Sequence, residues 1–325
     1  MRRKVIQIAG STKIISLPNK WCKEFNINKG DEINVNIEGD NIHVSPVRGS
    51  NVERAEIDVS DMEEMAVRVV HAMYKRGVDE LKVNFKNPSQ IKDIQSAIGK
   101  EAMSFEIVEQ GRNHVVIKSV AENLEEFGPI LRRTFLLLIN MAEDIELALS
   151  KKDFLRLNEI VFLEETNNRY TTFCRRLLNK KGSTEYKKIG PIYYIIEELE
   201  NIADYYKFIC KRYVTFKKDE GMELDEEAFE IFKGVNEYLK DFYKLFYKYD
   251  NKSINEMYKK RKYLLKRCLD CVEKSFTQKT KKGLQSCPVL LYNSWTILQH
   301  TFCMVGPYLT LKSGMDFKSF ESKKD

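Results

Sequence analysis

The spacing of apolar and polar positions changes period along the chain. Over residues 3–8 and 14–17, short apolar alternations flank Gly10-Ser11, which predicts two strands and a turn, with Pro18 stopping the second strand. Trp21, Cys22 and Phe25 then share one side of a helical turn. Gly30-Asp31 makes the next turn, and Ile33-Val35-Ile37 alternates before Gly39-Asp40 leads into Ile42-Val44, ending at Pro46. Over residues 56–120 the two periods take turns: strand 56–59, helix 62–75, strand 81–85, helix 88–98, and strands 105–109 and 115–120 around Gly111-Arg112-Asn113. His71 and His114 read here as packing or surface residues.

Beyond that the period is helical, and it repeats. Leu131, Phe135, Leu138, Ala142, Ile145 and Leu149 form a stripe of one helix face, and an offset of 97 carries them onto Ala228, Phe232, Val235, Leu239, Phe242 and Phe246, all apolar. The same offset of 97 carries Asp153 onto Asp250, Asn158-Glu159 onto Asn255-Glu256 and Pro191 onto Pro288. Two copies of a three-helix unit follow, with helices at 128–149, 154–178 and 192–213, then 225–247, 254–276 and 289–309. Short connections make neighbouring helices antiparallel.

Charge is unevenly spread. The net charge is only +6, yet the first 23 residues hold Arg2, Arg3, Lys4, Lys13, Lys20 and Lys23 and no acid. Seven cysteines and an opening Met-Arg-Arg-Lys without an apolar core behind it favour a reducing, cytoplasmic setting. Cys268 and Cys271 form a CxxC with no second pair at zinc spacing, so packed thiols are expected. Residues 283–311 carry no charge, but Asn293, Ser294, Gln299 and His300 would lie at bilayer depth, so a buried helix is expected there and no transmembrane segment. No Gly-rich phosphate loop and no nucleophile–base set stands out, which argues against an enzyme.

The pattern of Gly10-Ser11, Ile15-Ser16-Leu17-Pro18, Trp21 and Gly30-Asp31 before an alternating strand pair resembles the AbrB/MazE-type swapped-hairpin domains. The resemblance implies an interleaved homodimer, because so short a unit cannot close a core alone, and DNA binding through the basic face. Arg2, Arg3, Lys4, Lys13 and Lys20 are then the candidates for phosphate neutralisation, doubled by dimer symmetry. A solubilising basic surface is the plainer alternative.

The helical region resembles the phosphate-uptake regulator (PhoU) family, above all archaeal members with an AbrB-like N-terminus. Glu200-Asn201-Ile202-Ala203-Asp204 is similar to that family's acidic helix motif, and Glu164-Glu165-Thr166-Asn167-Asn168-Arg169 to its partner on the preceding helix. Residues four apart share a helix face, and the resemblance implies a divalent cation or iron held by Glu164, Asn168, Glu200 and Asp204. Asn168 stands where the family has an acid. The alternative is an acidic face with Glu197, Glu200 and Asp204 paired to lysines. In the second copy Glu164 and Glu165 become Arg261 and Lys262, and Glu200 and Asp204 become Ile297 and Thr301. There Lys259, Lys260, Arg261, Lys262, Lys266 and Arg267 form a basic run, either a docking surface or a solvated face.

Together these readings give a multidomain α+β chain. Its parts are an N-terminal β-rich swapped-hairpin dimer domain for DNA binding (1–47), a small α/β spacer domain (53–121), a C-terminal all-α six-helix bundle of two three-helix repeats (127–218 and 223–312) and a tail (313–325). The expected function is a non-catalytic DNA-binding regulator of phosphate uptake. The alternative is an adaptor docking on a phosphate transporter ATPase or sensor kinase, with the N-terminal domain serving only to dimerise.

Overall fold

Gly10, at φ +80°, turns β1 (Ile6–Ile8) back antiparallel onto β2 (Thr12–Ile14), pairing Ile6 with Ile14. The turn fixes the register, so the second strand forms at Thr12–Ile14 and not over the expected 14–17. Helix α1 (Asn19–Glu24) follows Pro18, with the Trp21 and Phe25 rings 5.7 Å apart. Strands β3 (Ile33–Glu38) and β4 (Asn41–Pro46) then pair antiparallel, matching Val35 with Val44 and Ile37 with Ile42. The computed structural model describes residues 2–8, 10–38, 41–46, 52–63, 65–120, 127–181, 189–216, 224–277 and 286–312. These elements belong to the first of two units, Met1–Val52; the second is Glu53–Asp325. The expected tail, 313–325, lies outside the described residues.

The second unit begins with β5 (Arg54–Asp58), α2 (Met65–Arg76), β6 (Glu80–Asn84), α3 (Gln90–Glu101), β7 (Phe105–Gln110) and β8 (His114–Ser119). The sheet order is β5-β6-β8-β7, with β5 and β6 parallel and the other pairs antiparallel. Alternation puts the facing pairs Leu81–Ile117 and Val83–Val115 in the core, beneath the buried Val70 and Tyr74 of α2 and Ile94 and Ala97 of α3. His71 is a packing residue between these helices, hydrogen-bonded to the Ala97 carbonyl at 2.9 Å and 3.1 Å from Glu101. The segment expected as a spacer does not stand apart, since α2 and α3 pack against α6 of the helical region.

That region comprises α4 (Phe127–Lys151), α5 (Phe154–Ile160), α6 (Leu163–Lys181), α7 (Ile189–Phe216), α8 (Glu226–Tyr247), α9 (Asn251–Thr277), α10 (Ser286–Cys303) and α11 (Val305–Leu311). All twelve stripe positions related by the 97-residue offset are buried. The related aspartates do the same job, Asp153 accepting from the Arg156 N–H and Asp250 from the Ser253 N–H, each at 2.9 Å, at the start of a helix.

Where six helices were expected, two are interrupted. Helix α10 ends at Cys303 because Pro307, four residues on, has no N–H for that carbonyl and its ring crowds it. The corresponding place in the first copy is Cys210, and α7 runs through it unbroken. The break between α5 and α6 has no proline or glycine at it. The uncharged stretch becomes α10, whose Leu290, Leu291, Asn293, Ser294, Ile297, Leu298 and Thr301 are buried against neighbouring helices. No helix among the described residues is long and apolar enough to cross a membrane.

Candidate functional site

In the N-terminal unit Arg2, Arg3 and Lys4 precede β1, Lys13 sits within β2 opposite Gln7, and Lys20 lies in the first turn of α1. All five are exposed. Period-two alternation also gathers apolar side chains, and these have no cover. No described residue from Arg2 to Pro46 is buried, and Ile37 and Ile42, a facing pair, are 76% and 62% exposed. Val5, Ile6, Ile8, Ile14 and Val35 are exposed as well. An exposed apolar surface of this kind, with no buried side chain among the described residues, marks a contact surface.

The four residues singled out for a metal lie on α6 and α7, as the spacing required, but cations already stand between them. Lys207 bridges Glu164 at 2.7 Å and Asp204 at 2.6 Å. Asn168 donates to Glu164 at 2.5 Å. Burial pushes the Glu164 carboxyl above the ordinary range, partly countered by Lys207 and Asn168. Glu200 is held instead by the buried guanidinium of Arg175 and by the Thr171 hydroxyl at 2.7 Å, while Arg175 also reaches Glu197 at 2.6 Å. Among the described residues no three His, Cys, Asp or Glu side chains are grouped to hold a metal. The arrangement does not fit a resident metal, whose place between Glu164 and Asp204 is taken by the Lys207 ammonium.

Sequence reasoning missed the two arginines, though the lysine pairing it offered for Asp204 is met by Lys207. Arg175 and Arg176 are adjacent within the apolar run Phe173, Cys174, Leu177 and Leu178, and a charged pair inside such a stripe was the available signal. Arg176 leaves the bundle altogether. It donates to the Tyr74 and Val78 carbonyls at 3.0 and 2.7 Å and to Asp79 at 2.9 Å, with Tyr74 and Phe105 against its guanidinium.

The second copy is built differently. Arg261 donates to Gln299 at 2.8 Å and stacks 4.0 Å from the Phe302 ring centre, with its Nε–H buried and without an acceptor. Cys268 and Cys271 are buried on α9, and burial pushes the Cys268 thiol up to about 11. Between the copies, Glu198 of α7 pairs with His300 of α10. Burial alone would raise Glu198, but hydrogen bonds from His300 and Tyr194 hold it below the ordinary carboxylate range. No curated protein and no solved structure matches the chain. Residues 6–51, which include Lys13, Lys20 and most of the exposed apolar side chains but not Arg2, Arg3 or Lys4, match the family described as Antidote-toxin recognition MazE, bacterial antitoxin.

Proposed function

We propose that the chain is a non-catalytic DNA-binding regulator of phosphate uptake or phosphate homeostasis. Two copies pair through interleaved N-terminal hairpins, and the helical unit receives the signal. One observation carries the reading: a unit with no buried residue among those described presents facing apolar pairs beside five exposed basic side chains. A second copy supplies the missing half of the core, and the doubled basic surface then meets a two-fold DNA site. The match to MazE supports the dimer and the nucleic acid. Phosphate rests on the resemblance of the helical repeats to the PhoU family.

The test is duplex-DNA affinity across a salt series. The full chain is expected to lose affinity steeply with salt, through counterion release. Replacing Arg2, Arg3 and Lys4 together with glutamine is expected to weaken binding to all sequences alike and to flatten the salt slope, because phosphate contacts position the protein without reading bases. Undiminished DNA binding after removal of residues 1–46 counts against the reading.

The adaptor reading draws on a different observation, the exposed Lys259, Lys262 and Lys266 on α9, a basic surface for an acidic partner such as a transporter ATPase or sensor kinase. Chromosomal occupancy at high and low phosphate separates the two, since an adaptor leaves no phosphate-dependent footprint.

A further inference from the structure

In repeat 1 Glu164 and Asp204 share the Lys207 ammonium, and Arg175 is held by Glu197 and Glu200 of the same repeat; the matching place in repeat 2 is built differently. At the place of Glu164 stands Arg261; at those of Asp204 and Lys207 stand Thr301 and Met304. Among the described residues no carboxylate pairs with Arg261, whose one hydrogen-bond partner, Gln299, is neutral. Its Nε–H and the nearby Tyr238 hydroxyl are both buried without partners. Burial pushes the Tyr238 phenol up and Arg261 partly counters it, which places the two within electrostatic reach. A half-buried cation with an idle donor is costly unless an acceptor arrives.

Next to it is a cavity of about 450 Å³ between α9 and the broken end of the third helix, lined by Ile254, Met257, Tyr258, Phe302, Val305 and Leu309 among others. The Pro307 break creates this wall, since Val305 and Leu309 belong to α11. Phe302 joins the two features, lining the cavity and stacking on the Arg261 guanidinium. Arg261 is one helical turn beyond Met257 and Tyr258 on α9, on the same side. A mostly apolar cavity of this size with a charged group just behind its wall is a common form of small-molecule site.

We propose that repeat 2 binds a small amphipathic anion, with an acyl or aryl body in the cavity and a carboxylate or similar group accepting from Arg261. Such a ligand fills the apolar space and brings the guanidinium the carboxylate it lacks. The site is separate from the N-terminal unit, so it stands or falls independently of DNA binding.

The probe is monomeric decanoate, titrated calorimetrically into the full chain, with decyltrimethylammonium as a probe of the same body and opposite charge. One site per chain is expected in repeat 2, about tenfold tighter for decanoate than for the cation. Arg261→Met is expected to abolish that preference, Arg261→Lys to retain part of it, and Ile254→Trp, which fills the cavity and leaves the guanidinium in place, to abolish binding of both. Vesicles of phosphatidylcholine with phosphatidylglycerol test the other source of anionic lipid. Binding to vesicles without binding of monomeric decanoate overturns the proposal. So does decanoate binding that survives Ile254→Trp, since the exposed N-terminal apolar residues would then be its site. Equal affinity for the two probes in the wild type also overturns it, and this holds even if Arg261→Met fails to fold.

Discussion

Glu146 links three helices: Asn236 of α8 donates to it at 2.7 Å, and Tyr206 of α7 donates to Asn236 at 2.8 Å. Burial pushes its carboxyl above the ordinary range, against the opposing pull of Asn236 and Lys240. A raised carboxyl holds its proton more tightly when folded, so the folded state is penalised as pH rises from the unfolded value through the folded one, and the penalty is complete above it. Glu146→Gln keeps the acceptor for Asn236 and removes the charge. The variant is therefore expected to melt at the same temperature as wild type near about pH 4 and at a higher temperature near about pH 7. Equal melting at both would show that the carboxylate costs nothing where it lies. The thiols differ by the same physics. Burial pushes Cys210 up to about 12 and Cys268 up to about 11, and Cys174 is raised too, whereas Cys303 is exposed. Iodoacetamide at about pH 8, followed by peptide mapping, is expected to label Cys303 rapidly and those three only on unfolding.

Helix α6 is the element that ties the α/β layer to the bundle, and Arg176 is its anchor. The guanidinium is wholly buried, and its loss leaves two carbonyls and Asp79 short of a donor, although Lys180 also reaches Asp79. Arg176→Met is expected to lower the unfolding free energy by about 3–5 kcal/mol in urea titration, the usual cost of removing one partner of a buried ion pair. Arg176→Lys restores little, because one ammonium cannot reproduce the planar fork. Much of this architecture was legible in the sequence. The apolar stripes and the 97-residue offset, which relates Asp153 to Asp250, state their roles through periodicity, while the capping role of the two aspartates comes only with the structure. Pro307 could have announced the end of α10, but the apolar pattern reads as one helix running through it over 289–309. The junction of α5 and α6 carried no breaker to read. Arg175 and Arg176 escaped because their partners lie on other elements, at Glu197 and Asp79, and no local pattern encodes such a pairing; Lys207 meets the lysine pairing expected of Asp204 three residues away, while its bond to Glu164 crosses to α6.

At the scale of the molecule, the two units differ in whether they can close a core alone. Residues 53–325 contain every buried apolar side chain described, from Val59 to Tyr308, whereas the N-terminal unit contains none. Its second hairpin brings together Val35 with Val44 and Ile37 with Ile42, yet leaves Ile37 and Ile42 facing water. A monomer of this unit has little to offset the conformational entropy of ordering its chain. Its order is therefore expected to depend on a second copy, and that of the larger unit not to. Deleting residues 1–52 should leave the cooperative melting of 53–325 within a few degrees of the full chain and make it independent of protein concentration. Ile37→Lys in the full chain places a charge on the exposed apolar ladder without touching the larger unit, and it should convert the dimer to monomer in sedimentation while the helical circular dichroism stays unchanged. DNA affinity should fall with it, since halving the basic surface halves the number of phosphates neutralised. A dimer that survives both Ile37→Lys and deletion of 1–52 would place the contact on the helical unit and remove the physical basis for an N-terminal pair.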